Sequence, residues 1–213
     1  MGISLKKGQG VSLEKGEHAL ALVTIGLGWD ISADKPGLLA GLLGKKSPDY
    51  DLDVAAFLCA ADGKVKDLGR DASGKATLND SDVIFFNNMH HRSGCIWLTG
   101  DNRTGVGDGD DEQILVKLEE LPERYARVVF VVQIYQGRQH GQSFGKVNNA
   151  YIRAEDASGR EMVRFDLSGG TQYEDCCSML FAELVREDGG WRFNAIGAPS
   201  PSDSFVTWLE QYV

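Results

Sequence analysis

The sequence predicts an all-β protein, an antiparallel β-sandwich of two sheets with a short C-terminal helix. Three observations carry that expectation. Roughly ten short apolar or alternating runs follow one another along the chain. Turn signals rich in glycine and aspartate separate them. Only the last stretch has helical spacing, with little helix elsewhere.

The elements follow in chain order. Ile3-Ser4-Leu5-Lys6-Lys7-Gly8-Gln9 is echoed by Val11-Ser12-Leu13-Glu14-Lys15-Gly16-Glu17, which reads as two alternating strands between glycine turns. Residues 18–25 form an apolar run ended by Gly26, and Leu27-Gly28-Trp29-Asp30 reads as a turn with an acid just past the strand. Residues 30–49 are irregular, and Leu38, Leu39, Leu42 and Leu43 lie there between lysines. Residues 51–59 form a strand on which Asp51 and Asp53 share one side with Ala55, Phe57 and Cys59. The two acids lie about 6.6 Å apart along it. Paired acids at the mouth of a buried face need a partner, and a metal ion would supply one.

Ala61-Asp62-Gly63-Lys64 reads as a hairpin turn, with strands at 83–88 and 95–99. His90 and His91 between them lack a third ligand, so a solvated loop is the expectation. A further strand at 113–118 alternates, with Ile114, Val116 and Leu118 on one side. The run 128–134 is apolar on both faces and reads as a central strand, and strands at 149–154, 162–167, 178–185 and 191–197 complete the set. After Ser202-Asp203-Ser204, Phe205, Trp208, Leu209 and Tyr212 form one helical stripe.

The most informative stretch joins two of these strands. Between Asp101 and Glu112, Asp101, Asp108, Asp110, Asp111 and Glu112 put five carboxylates into twelve residues, interleaved with Gly105, Gly107 and Gly109. In a tight loop such charges repel one another unless a cation sits among them. The donors are all oxygen, without His or Cys, which points to calcium rather than zinc or copper. Arg103 and Val106 occupy places where an EF-hand needs an acid or amide and a glycine, so the stretch is not one.

Composition bounds the rest. The 213 residues suffice for a proper core, and one domain over 1–213 is the expectation. A net charge of −9 argues against unspecific nucleic-acid binding, which needs a basic face. No apolar run approaches a membrane span, and the N-terminus lacks the apolar core of a signal peptide. Lys6 stands where a myristoylation signal wants Ser or Thr. Cys59, Cys95, Cys176 and Cys177 read as buried or inert thiols, which points to the cytoplasm.

Taken together, Leu27-Gly28-Trp29-Asp30, Asp51-Leu52-Asp53, the acidic stretch, residues 144–153 and residues 191–197 resemble the TerD family, the tellurium-resistance and stress-response proteins of bacteria. The resemblance implies a two-sheet sandwich that binds calcium at one end, without a known enzymatic reaction; the number of carboxylates, more than one divalent ion would neutralise, sets the expectation of two ions. The metal-binding acids carry over onto Asp51, Asp53, Asp101, Asp108, Asp110, Asp111 and Glu112, with Asp30 as an eighth. Phe86-Asn87-Asn88 departs from the family's Tyr-Asn-Asn, and Ala198-Pro199-Ser200-Pro201 replaces a glycine-rich tail. With the leucine-rich segment, these departures indicate a divergent paralogue.

Three functions of different classes follow. The first is a non-enzymatic calcium-binding stress-response protein acting through protein–protein contacts. The second is a calcium-dependent membrane-docking module, with Leu38, Leu39, Leu42 and Leu43 as the peripheral membrane contact. The third is a metal-dependent hydrolase, for which the sequence supplies no nucleophile motif.

Overall fold

The computed structural model describes residues 3–14, 21–31, 50–100, 110–166 and 171–213. Their strands are β1 (Ile3–Leu5), β2 (Gly10–Glu14), β3 (Val23–Ile31), β4 (Leu52–Cys59), β5 (Val83–Ile84) and β6 (Ile96–Leu98). After these come β7 (Glu112–Val116), β8 (Arg127–Ile134), β9 (Val147–Glu155), β10 (Glu161–Asp166), β11 (Ser178–Glu187) and β12 (Gly190–Ser200). They form two six-stranded sheets, ordered β1-β10-β9-β3-β7-β6 and β2-β12-β11-β8-β4-β5. Pairing is antiparallel except between β1 and β10.

Side-chain alternation explains both faces of the second sheet. Val54, Ala56 and Leu58 of β4 enter the main core between the sheets, with Ile25, Leu27, Ile114, Ile152 and Phe181. Ala55, Phe57 and Cys59 point the other way, into a smaller core with Phe205, Trp208 and Leu209. That is why 128–134, beside β4, is apolar on both faces: β8 is a central strand roofed on its outer side. The roof is the helix Val206–Leu209 and the 3-10 turn Glu210–Tyr212. Trp208 Nε1 donates to Ser178 Oγ at 2.9 Å, which satisfies the one polar atom of the ring. The stripe read from the sequence packs down as expected, over a shorter helix.

Two expectations change. The strand placed at 18–25 runs instead over Val23–Ile31, because Ile25, Leu27 and Trp29 continue the inward alternation while β7 and β9 flank both edges. Asp30 therefore lies within a strand rather than past its end. The strand at 83–88 shortens to Val83–Ile84, since Asn88 N donates to Phe85 O at 2.8 Å and closes a turn. The N-terminal echo is two strands as expected, β1 joining one sheet and β2 the other. Leu38, Leu39, Leu42 and Leu43 lie outside the described residues. Among the described residues no helix is long and apolar enough to cross a membrane.

Candidate metal centre

Strands β4 and β7 begin, and β3 and β8 end, at one end of the sandwich. β6 and β7 pair directly, so both ends of the acidic stretch leave from neighbouring strands of the first sheet. Glu112 is the first residue of β7 and shares its inward face with Ile114 and Val116. Its side chain crosses between the sheets, and Oε2 accepts the Val54 amide of β4 at 2.7 Å. Asp111 Oδ2 accepts the Trp29 amide at 3.0 Å, and Asp111 N donates to Leu27 O at 2.8 Å. These three bonds secure the exit of the acidic stretch against β3 and β4.

Asp53 is 6 % exposed and lies on the outer side of β4, as the shared face with Phe57 requires. Its Oδ2 accepts Gln133 Nε2 at 2.9 Å, and Gln133 Oε1 accepts the Phe205 amide at 2.6 Å. Asp51 is half-buried, and its carbonyl accepts the Tyr135 amide at 2.8 Å. Asp30 is in β3 opposite Asn148. The Asp30 side chain, Asp101 and Asp108 lie outside the described residues.

The donor chemistry at this end fits a hard cation. Asp51, Asp53, Asp111 and Glu112 contribute only oxygens, and they come from two strand ends, the starts of β4 and β7, one in each sheet. Softer donors are used elsewhere. All four cysteines are free thiols, and burial pushes Cys59 up to about 12, far from a thiolate ligand. Among the described residues no three His, Cys, Asp or Glu side chains close on a common point.

Asp110 is separated from the others. Its side chain is 0 % exposed and lies on the outer face of the first sheet. Oδ1 accepts Arg153 Nε at 2.7 Å and Tyr151 Oη at 3.0 Å, and Oδ2 accepts Gln113 Nε2 at 3.2 Å. Gly26 makes room: a Cβ there would overlap the carboxylate. Burial first, and then the Asp110 charge, push Tyr151 up to about 12, so the phenol keeps its proton at neutral pH and donates the hydrogen bond to Asp110.

A family model described as the TerD domain matches residues 1–212. The chain belongs to the TerD family. Tellurium resistance protein TerX of Serratia marcescens is 60 % identical over 213 residues, covering 100 % of both chains. Tellurium resistance protein TerD of the same organism is 40 % identical over 198 residues, 92 % of this chain and 90 % of its own. Stress response protein SCP2 of Bacillus subtilis is 36 % identical over 214 residues, with 100 % of both chains covered. The crystal structure of a homologue of telluride resistance protein (TerD) from Streptomyces coelicolor A3(2) superposes with a TM-score of 0.63. It covers 92 % of this chain and 99 % of its own at 24 % identity, and so supports the fold. The family's names concern tellurium resistance and stress response, and the sandwich of two sheets is the one expected of this TerD-family chain.

Sequence reading missed three partners in this TerD-family fold. Gln133 is the one polar residue of the apolar run 128–134, and that interruption was its available signal. Tyr151 and Arg153 alternate with the buried Ala150, Ile152 and Ala154, which marks them as outward. His91 is not solvated. It is 3 % exposed, with Nε2 3.2 Å from Asp82 Oδ1 and Nδ1 2.7 Å from Ser93 Oγ. Ser93–His91–Asp82 has the connectivity of a nucleophile–base–acid relay. However, the Ser93 amide also donates to Nδ1 at 3.1 Å, and Ser93 Oγ accepts the Cys95 amide at 3.2 Å. The adjoining cavity of about 170 Å³ is lined by Asp82, Arg92 and Tyr125, and by neither Ser93 nor His91. The cluster reads as a turn clasp. His90 is exposed.

Proposed function

We propose that this chain is a calcium-binding stress-response protein that acts without catalysis, through contacts with other proteins. The observation carrying the reading is the cross-sheet bond from Glu112 to Val54, which fixes the end of the acidic stretch one residue from Asp53. Asp51, Asp53, Asp111 and Glu112 would hold calcium together with Asp30, Asp101 and Asp108. The acid count exceeds what one divalent ion neutralises, so two ions are proposed. Calcium supplies charge neutralisation there; the chain supplies oxygen donors held at strand ends. Shared family membership with tellurium-resistance and stress-response proteins supports the biological role. Cytoplasmic location remains part of the same proposal.

Calorimetric titration of chelator-stripped protein tests the reading. Two calcium sites are expected, with magnesium failing to displace calcium at equal concentration. Absence of calcium binding overturns it. Phosphatase, nuclease and esterase assays with calcium, magnesium or manganese test the non-catalytic part, and metal-dependent turnover would refute it.

A further inference from the structure

We infer that Asp110 is a positioning residue that anchors the exit of the acidic stretch to the first sheet, and is not itself a calcium ligand. The inference deepens the calcium reading and rests on it for its binding readout. Although Asp110 lies two residues before Glu112, the two side chains go to opposite sides of the sheet. Glu112 reaches inward to Val54, whereas Asp110 lies outside over Gly26. The strand begins only at Glu112, so strand alternation does not bind Asp110 to the same face.

On the outer face, both Asp110 oxygens are already engaged, by Arg153 and Tyr151 on one and Gln113 on the other. Arg153 is held in turn by Glu155 at 2.8 Å, and the Arg164 guanidinium lies 3.7 Å from the centre of the Tyr151 ring. A carboxylate turned from this site toward a metal would leave a mostly buried guanidinium without its closest partner. The consequence reaches Asp111, the next residue, whose carboxylate and amide close on β3. Asp110 on one side of the first sheet and Glu112 on the other hold Asp111 between them at the strand end.

The test compares Asp110→Asn, Arg153→Gln and their double variant with Glu112→Gln, in calorimetric calcium titration and in thermal melting under chelator. Asp110→Asn and Arg153→Gln should each keep the wild-type number of calcium ions, with affinity reduced about 3- to 10-fold. Both should lower the metal-free melting temperature, and the double variant should lower it by less than the sum. Glu112→Gln should reduce the number of ions or lower affinity more than 100-fold. Loss of an ion in Asp110→Asn with Arg153→Gln unchanged would overturn the anchor. If wild-type protein binds no calcium, the calcium reading fails separately, and the chelator melts decide: unchanged or strictly additive melting overturns the anchor. Should Arg153→Gln not fold, Tyr151→Phe removes one hydrogen bond of the same group and takes its place.

Discussion

Glu112 of the first sheet accepts the backbone amide of Val54 in the second, 2.7 Å away and 2 % exposed at the carboxylate residue. This bond makes a distinction between charge and shape testable. Glu112→Gln keeps an oxygen for the Val54 amide and removes the negative charge. It should fold with nearly wild-type stability in chelator and lose calcium affinity. Glu112→Ala leaves a buried amide without its acceptor, at a cost of about 1–3 kcal/mol. Urea unfolding in chelator separates the two, and equal stability of both variants would remove the structural role.

Calcium should stabilise the whole chain and tighten the acidic end. Binding to the native state adds about 2.7 kcal/mol when free calcium is roughly a hundred times Kd. For a chain of this size that raises the melting temperature by about 5–10 °C. Hydrogen exchange under chelator should quicken first at 100–112 and near Asp51, and little in β8, whose inner residues are fully buried. Asp101→Asn should weaken binding strongly. Asp62→Asn, in an exposed turn paired with Lys66, should not. Identical melting and exchange with and without calcium would mean that the stretch is a solvated loop.

How much of this was legible depended on whether a residue's partner was near in sequence or in the fold. The alternation of Ile114, Val116 and Leu118, and the stripe from Phe205 to Tyr212, are local patterns and were readable directly. The shared side of Asp51, Asp53 and Phe57 was readable too, but not which face it was. Only the packing of the Phe205 segment makes it the outer one. Asp110 illustrates the limit. In the sequence it is one acid among five, and its role depends on Arg153, 43 residues away on another strand. The extension of β3 through Asp30 was hidden by Gly26 and Gly28, which mimic a turn but serve close approach by Asp110 and Tyr151.

The Asp53–Gln133–Phe205 relay should couple the acidic end to the C-terminal roof. Gln133 is 5 % exposed and satisfies Asp53 with its amide nitrogen and Phe205 N with its oxygen. Gln133→Leu keeps approximate volume and removes a buried hydrogen bond from each partner, so a loss of about 1–3 kcal/mol is expected. Exchange of the amides in Val206–Leu209 should quicken with it. If stability falls while those amides stay protected, the relay does not hold the helix.

Acid sensitivity should have a contribution from Asp82, in a part of the molecule away from the acidic stretch. The carboxylate is 3 % exposed, and Oδ1 receives Tyr125 Oη at 2.7 Å, Arg92 at 3.1 Å and His91 Nε2 at 3.2 Å. Burial alone would raise its pKa, but the hydrogen bonds from His91 and Tyr125 and the Arg92 charge together bring it below the ordinary carboxylate value. A depressed folded-state pKa means that the stabilisation is complete above the unfolded value, about 4, and is lost as pH falls through the folded value. Asp82→Asn should therefore be less stable than wild type at pH 7, by about 2–4 kcal/mol for a buried charged hydrogen-bond cluster. The gap should narrow as pH falls below about 4, where the unfolded chain protonates Asp82 first and the folded chain follows at lower pH. Urea unfolding of both proteins in chelator, from pH 7 down to pH 3, reads the difference free of calcium release. A gap that stays constant across that range would show that the Asp82 charge contributes nothing to stability.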